Sequence, residues 1–249
     1  MPLSGTLDIA PRLEHAPHID GYDTEAWELA GVELLSLTFE INEAAMQFPL
    51  PPALHPVIPP VAYFTVASYP DSPVGPFTLA QVRVGCRASA LPRGFLLRAY
   101  SDSPAACKTL ARRWGYDCHP ADVKLRRYHD RIVGSVEMDG REVLSATLVD
   151  PQPISGSAVF YVSNMNLARA KDDSGQGTLV QVDPGYTFHR AERGTPELGT
   201  FDRAAWNAVG IDPVWPVTAT FVKVDTGFPQ IRYVCDPQQP ARTGTRKLR

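Results

Sequence analysis

Lysine is scarce in this chain. Five of its 24 cationic side chains are lysines (Lys108, Lys124, Lys171, Lys223 and Lys247), and all the others are arginines. Chemistry that needs a free amine therefore has few candidates. Cysteine is nearly as sparse. Cys86, Cys107, Cys118 and Cys235 are scattered, with no C-x-x-C pair. That spacing argues against a disulfide framework or a structural zinc site and suits free thiols in a reducing cytoplasm. No apolar run approaches the ~18 residues of a membrane span. The first ten residues lack the charged and apolar regions of an export signal. A formal net charge of -3 and a pI of about 6.1 leave no basic footprint for nucleic acid or a membrane surface. The expectation is a cytoplasmic protein with neither kind of partner. Gly-rich phosphate loops, nucleophile elbows and metal-ligand spacings are missing too, so no metal or cofactor is expected.

Proline is what the sequence has in excess. There are 24 in 249 residues, roughly twice the usual frequency, which excludes an all-helical bundle. The length suits one large core. Three parts are expected: an irregular N-terminal arm over 1–31, a β domain over 32–235 and a flexible basic tail over 236–249. Residues 49–60, PLPPALHPVIPP, read as a rigid connector. Strand-like alternation fills most of the rest: 32–40, 61–69, 77–87, 95–100, 124–148, 158–167, 177–183, 186–192, 217–224 and 230–235. Asp139-Gly140 suits the two positive-φ positions of a tight hairpin.

Three helices are expected. A short one follows Asn42 over 43–48. In SDSPAACKTLARRWG, Ser103 reads as the N-cap, Pro104 takes the first helical position and Gly115 stops the helix. Ala106, Leu110 and Trp114 form its apolar stripe. A third helix is expected over 202–210, DRAAWNAVG. The fold class is thus mainly β, an antiparallel β-cone or barrel with an interior pocket and a few peripheral helices.

The order of segments carries a resemblance. PLPPAL follows a short helix, and then come VAYFTVASYPD, the turn VGPF, a strand and DSPAACKTLARRWGY. FHRAERGTPELGTF and IDPVWPV follow later. From about Leu34 to Val234 this order resembles the acetoacetate decarboxylase family. The resemblance implies a β-cone around a small-molecule pocket, commonly in a homo-oligomer. Decarboxylating members carry aromatic–Pro–Lys–Lys after the helix, and the first lysine forms a Schiff base. Its amine is kept neutral by burial and a neighbouring cation. The corresponding stretch here is Tyr116-Asp117-Cys118-His119, with the aromatic kept and both lysines replaced. The family's two pocket glutamates match Thr65 and Leu79. The resemblance therefore implies a divergent member that keeps the scaffold and lacks the imine apparatus.

Candidate site residues follow from those positions. His119 is a candidate general acid–base and Cys118 a candidate nucleophile. Neighbours on an extended segment point to opposite faces, so only one of them can face a given pocket. The plain reading of Cys118 is a small buried hydrophobe. Tyr116 inherits a site position. Thr65, Leu79, Gln81 and Arg98 are candidate substrate-binding residues, and Arg83 competes with Arg98 for recognition of a carboxylate. Three functions stay open. One is an enzyme of lyase, isomerase or cyclase type, of secondary metabolism, acting on a small keto or polyketide-like compound without a lysine imine. Another is a non-catalytic small-molecule binding protein. The last is a β-keto acid decarboxylase using a displaced Lys124.

Overall fold

Period-two alternation over residues 61–101 builds the frame. The computed structural model describes residues 3–88, 91–170 and 177–248. Its early elements are α1 (Ala10–His15), β1 (His18–Ile19), β2 (Trp27–Ile41), β3 (His55–Pro56), β4 (Val61–Tyr69), β5 (Phe77–Ala88) and β6 (Leu91–Ser101). Next come α2 (Pro104–Trp114), β7 (Cys118–Pro120), β8 (Asp122–Arg127), β9 (Arg131–Met138), β10 (Arg141–Pro153) and β11 (Ser163–Ala170). The chain closes with β12 (Thr178–Val182), β13 (Thr187–Phe201), β14 (Pro213–Phe228), β15 (Tyr233–Cys235), α3 (Ala241–Gly244) and β16 (Thr245–Lys247).

One large sheet runs β16-β15-β12-β11-β6-β5-β4-β2-β14-β13-β10-β9-β8. Most neighbours are antiparallel. β11 and β7 pair with β6 in parallel, as does β1 with β11, so the sheet is mixed. It curls on itself without closing, with β8 and β16 as its ends. Alternation divides the two faces of β4 and β5. Ala62, Phe64, Val66, Ala80, Val82 and Val84 join a core with Ile132, Val136, Leu144 and Trp206. Ala67, Tyr69, Phe77 and Leu79 join a second core with Trp27, Leu110, Trp114 and Phe228.

α2 forms as its caps and stripe dictate. The Ser103 hydroxyl accepts from the Ala106 amide at 3.2 Å. Ala106, Leu110 and Trp114 are buried, and Trp114 packs on Trp27 and Phe228 at ring separations of 5.2 and 5.1 Å. Gly115 ends the helix at φ +69, a region that L side chains enter only at a cost. Asp139 and Gly140 both take positive φ at the β9–β10 turn, as their hairpin role requires.

Three expectations are corrected. Residues 202–210 do not form a helix; they make a string of turns. Asn207 turns to φ +55, which ends any helix after one turn. The buried Trp206 sets this path. Its indole donates to the Val143 carbonyl at 3.1 Å and meets Tyr100 edge-on at 4.7 Å. The tail over 236–248 is not free. β16 pairs with β15, and the Ala241 amide donates to the Ala53 carbonyl at 3.1 Å. Backbone bonds hold it, so it needs no apolar periodicity. In the arm, β2 begins at Trp27, α1 forms, and β1 pairs His18 with Arg169 of β11. No helix among the described residues is long and apolar enough to cross a membrane.

Gly115 joins α2 to the segment that carries Tyr116, and a Cβ there would lie 2.8 Å from Ala168 Cβ. Gly115→Ala combines left-handed backbone strain with overpacking, so it should cost about 2–4 kcal/mol. Urea denaturation checks this as a lowered midpoint at unchanged slope.

Candidate functional site

The second-core face of β4 and β5 turns polar at its middle. Thr65 lies opposite Gln81, and Tyr63 opposite Arg83. Arg83 is almost wholly buried. It donates to the Thr65 hydroxyl at 2.7 Å, to Asn164 Oδ1 at 2.8 Å and to the Val162 carbonyl at 2.9 Å. Asn164 in turn donates to Gln81 Oε1 at 2.7 Å and to the Tyr116 hydroxyl at 3.1 Å. Gly94 makes room for this cation, because a Cβ there would sit 3.1 Å from Arg83 Cβ. The Arg83 Nε finds no partner, and among the described residues no carboxylate pairs with the guanidinium. A buried cation is normally paired. This one is held by neutral groups alone.

These residues enclose a cavity of about 40 Å³, which Tyr69, Tyr161 and Tyr186 also line. A second cavity of about 250 Å³ shares Arg83 and Tyr161 with it and is walled by Ser36, Thr38, Tyr63, Thr218 and Thr220. The register explains that row of hydroxyls. Ser36 lies opposite both Thr65 and Thr220, and Thr38 opposite both Tyr63 and Thr218. The Thr218 hydroxyl is buried without a partner among the described residues. Burial pushes the phenols of Tyr69, Tyr116 and Tyr161 above their ordinary range and that of Tyr186 up to about 12. At neutral pH they are hydrogen-bond donors, never phenolates. Arg83 is lowered by the same burial yet starts too high to lose its proton. The site thus offers the fixed positive charge of Arg83, that of Arg193 at the larger cavity, and protonated hydroxyls; the described residues that line the two cavities include no aspartate, glutamate, lysine or histidine. Such a site can polarise and stabilise an oxyanion.

The expected constellation divides in two. Thr65, Gln81 and Tyr116 converge on the small cavity with Arg83. Leu79 shares their face, wholly buried in the second core, and lies outside the cavity lining. Arg98 is elsewhere. The pairing shifts between Val82↔Arg98 and Arg83↔Leu96, and that bulge turns Arg98 to the opposite face from Arg83. There it pairs with Asp117 at 3.2 Å. His119 is half-exposed and holds the other Asp117 oxygen at 2.7 Å. Burial alone would raise the Asp117 carboxyl, but the His119 and Arg98 bonds outweigh it and bring it below its ordinary value. Cys118 packs toward α2, and its thiol donates to Cys107 Sγ at 3.2 Å. That bond and burial push the Cys118 thiol well above its ordinary value, which leaves it protonated and a poor nucleophile.

Lys124 sits on β8 at the surface, ion-paired with Asp122. Lys108, Lys223 and Lys247 are exposed, and Lys171 lies outside the described residues. Sequence reasoning passed over Asn164. Its signal was available: Asn164 and Asn166 occupy alternate positions of an apolar strand, and inward asparagines need partners.

The tyrosines give a pH prediction. A phenol whose folded value is raised contributes stability that is complete below the unfolded value near 10 and is lost as pH rises through the folded value. Stability should therefore hold to about pH 10 and fall between about 10 and 12, the window set by Tyr186. Ultraviolet titration at 295 nm should show the phenols of Tyr69, Tyr116, Tyr161 and Tyr186 ionising only with unfolding.

Residues 15–232 match the model of the acetoacetate decarboxylase (ADC) family. No curated protein sequence matches the chain. Among solved structures, acetoacetate decarboxylase from Legionella pneumophila subsp. pneumophila str. Philadelphia 1 is 19% identical. It superposes at a TM-score of 0.73 over 86% of this chain and 88% of that one. The enduracididine biosynthesis enzyme MppR, complexed with the condensation product of pyruvate and imidazole 4-carboxaldehyde, is 15% identical at a TM-score of 0.67, covering 82% of this chain and 87% of that one. An acetoacetate decarboxylase-like enzyme from Sphingomonas wittichii RW1 is 13% identical at 0.62, covering 84% and 94%. At these identities the structures testify to fold alone, and the match over 15–232 testifies to kinship. The chain belongs to the acetoacetate decarboxylase family.

Proposed function

We propose that this protein is an acetoacetate decarboxylase-like enzyme acting on a small keto or polyketide-like compound without a lysine imine. The observation that carries the reading is the Arg83 guanidinium, buried beside a cavity with no carboxylate counter-ion among the described residues. An oxygen anion of the substrate completes it. Loss of carbon dioxide from a β-keto acid leaves the electron pair of the broken bond on the keto oxygen as an enolate, which then takes a proton from water. A proton shift next to a keto group builds the same charge with water or the compound's own carboxylate as the base, since the described lining residues include none. Arg83 and the protonated hydroxyls of Tyr116 and Tyr161 are donors for that charge, held in place before reaction. The hydroxyl wall of Ser36, Thr38, Thr218 and Thr220 seats further oxygens of the compound in the larger cavity. This is chemistry of the lyase or isomerase kind, with a cyclase as a further form of it. Small-molecule binding without turnover is the remaining alternative, and the displaced Lys124 reading loses ground because its amine is at the surface.

Two experiments test this. Arg83→Met removes an unpaired buried cation, so it should leave the melting temperature unchanged or higher while weakening the binding of acetoacetate or pyruvate by about tenfold to a hundredfold. A large fall in stability with unchanged binding would show that the cation is structural. Incubation with acetoacetate and sodium borohydride, read by intact mass, should give no adduct. A stoichiometric adduct on any lysine would overturn the imine-free reading.

The homo-oligomer expected of this chain would cover Val214, Trp215 and Val217, which stand exposed on β14.

A further inference from the structure

A cavity of about 260 Å³ lies on the sheet face opposite Arg83, between the arm and β6. We propose that it is a second binding site, for a small monocarboxylate with an apolar body, distinct from the keto-compound cavity.

Its floor is apolar, formed by Phe95, Leu97 and Leu167. Its rim is cationic. Arg12 of α1 reaches in and makes a single hydrogen bond, to the Asn207 carbonyl at 2.9 Å. Arg98 gives Nε to Asp117 at 3.2 Å and Nη1 to the Ala205 carbonyl at 3.3 Å. The Nε and Nη1 of Arg12 and the Nη2 of Arg98 have no partner among the described residues. Asp117 is the cavity's one lining carboxylate among those residues, and it is already engaged by Arg98, His119 and the Asn207 amide. Among the side chains of fixed charge, two guanidiniums face one carboxylate, an excess of one positive charge.

That arithmetic selects the ligand class. A monoanion neutralises the cavity. A dianion such as a phosphate monoester would leave a negative charge against Phe95 and Leu97, and burying an uncompensated charge is costly. Guanidiniums and a carboxylate pair through charge-assisted bonds. The volume falls below the usual range of drug-sized pockets, so the body is no larger than one ring or a branched chain.

Benzoate is a suitable probe, titrated by calorimetry into the full chain at pH 8. The wild type should bind it, and benzamide, the neutral analogue, should bind at least about tenfold more weakly. Arg12→Gln should weaken benzoate by about tenfold, with Arg12→Lys in between, whereas Arg83→Met should leave it within about twofold. In the wild type alone, benzoate should shift the methyl resonances of Leu97 and Leu167, a result that needs no variant to fold. The proposal is overturned if benzoate does not bind, if benzamide binds equally, if Arg12→Gln binds as the wild type does, or if Arg83→Met alone abolishes binding.

Discussion

A guanidinium buried without a carboxylate partner among the described residues constrains everything around it. Removing such a charge from water costs several kcal/mol even after relaxation. The fold answers with neutral acceptors fixed from separate strands: Thr65 on β4, Asn164 on β11 and the Val162 carbonyl just before β11. Each acceptor must then be held. Thr65 is set by the β4–β5 register, and Asn164 by its bonds to Gln81 and Tyr116. Tyr116 is placed by the stop of α2 at Gly115, and Gly94 must lack a side chain for Arg83 to fit. Strand register, helix end and one glycine thus all serve a single cation. An arrangement this demanding makes physical sense where a ligand supplies the missing charge.

Much of this was legible in the residues. Alternation in VAYFTVASY and FTLAQVRVG gave the strands and put Thr65, Gln81 and Arg83 on one face. Ser103, Pro104 and Gly115 bounded α2 without any tertiary information. What the residues hid is instructive. Arg98 and Arg83 look equivalent along their strands, and one extra residue in β6 sends them to opposite sides of the sheet. A bulge is a property of a strand pair, so one strand's pattern does not reveal it. Residues 202–210 carry helix caps at both ends, but the chain turns to positive φ at Asn207 and seats the Trp206 indole on the Val143 carbonyl. The tail pairs through its backbone, which no side-chain pattern records.

Kinship with the acetoacetate decarboxylases sharpens the meaning of Tyr116-Asp117-Cys118-His119. Tyr116 turns to the cavity beside Arg83, Asp117 turns to the opposite face, and Cys118 packs on Cys107. Where the family pattern has lysines, this chain has a protonated thiol and a surface imidazole tied to Asp117. Neither offers the neutral amine that an imine needs. One short segment instead divides its polar groups between the two sides of the sheet, Tyr116 beside Arg83 and Asp117 beside Arg98.

The choice of arginine over lysine then decides what kind of chemistry the cavity supports. Burial depresses both side chains. A lysine starting near 10.4 can be brought to neutrality and made a nucleophile, whereas a guanidinium starting above about 12 stays charged under the same burial. Arg83 is lowered by its surroundings and remains a cation all the same. It cannot attack a carbonyl, and it can hold an oxyanion in a fixed direction with its fork already braced by Thr65 and Asn164. In this chain, with 24 cationic side chains and only five lysines, the buried cation at the small cavity is an arginine, a group that orients and stabilises rather than one that forms bonds. The proposed imine-free turnover would accordingly draw on electrostatic stabilisation of an enolate by Arg83 rather than on an electron sink covalently attached to the protein.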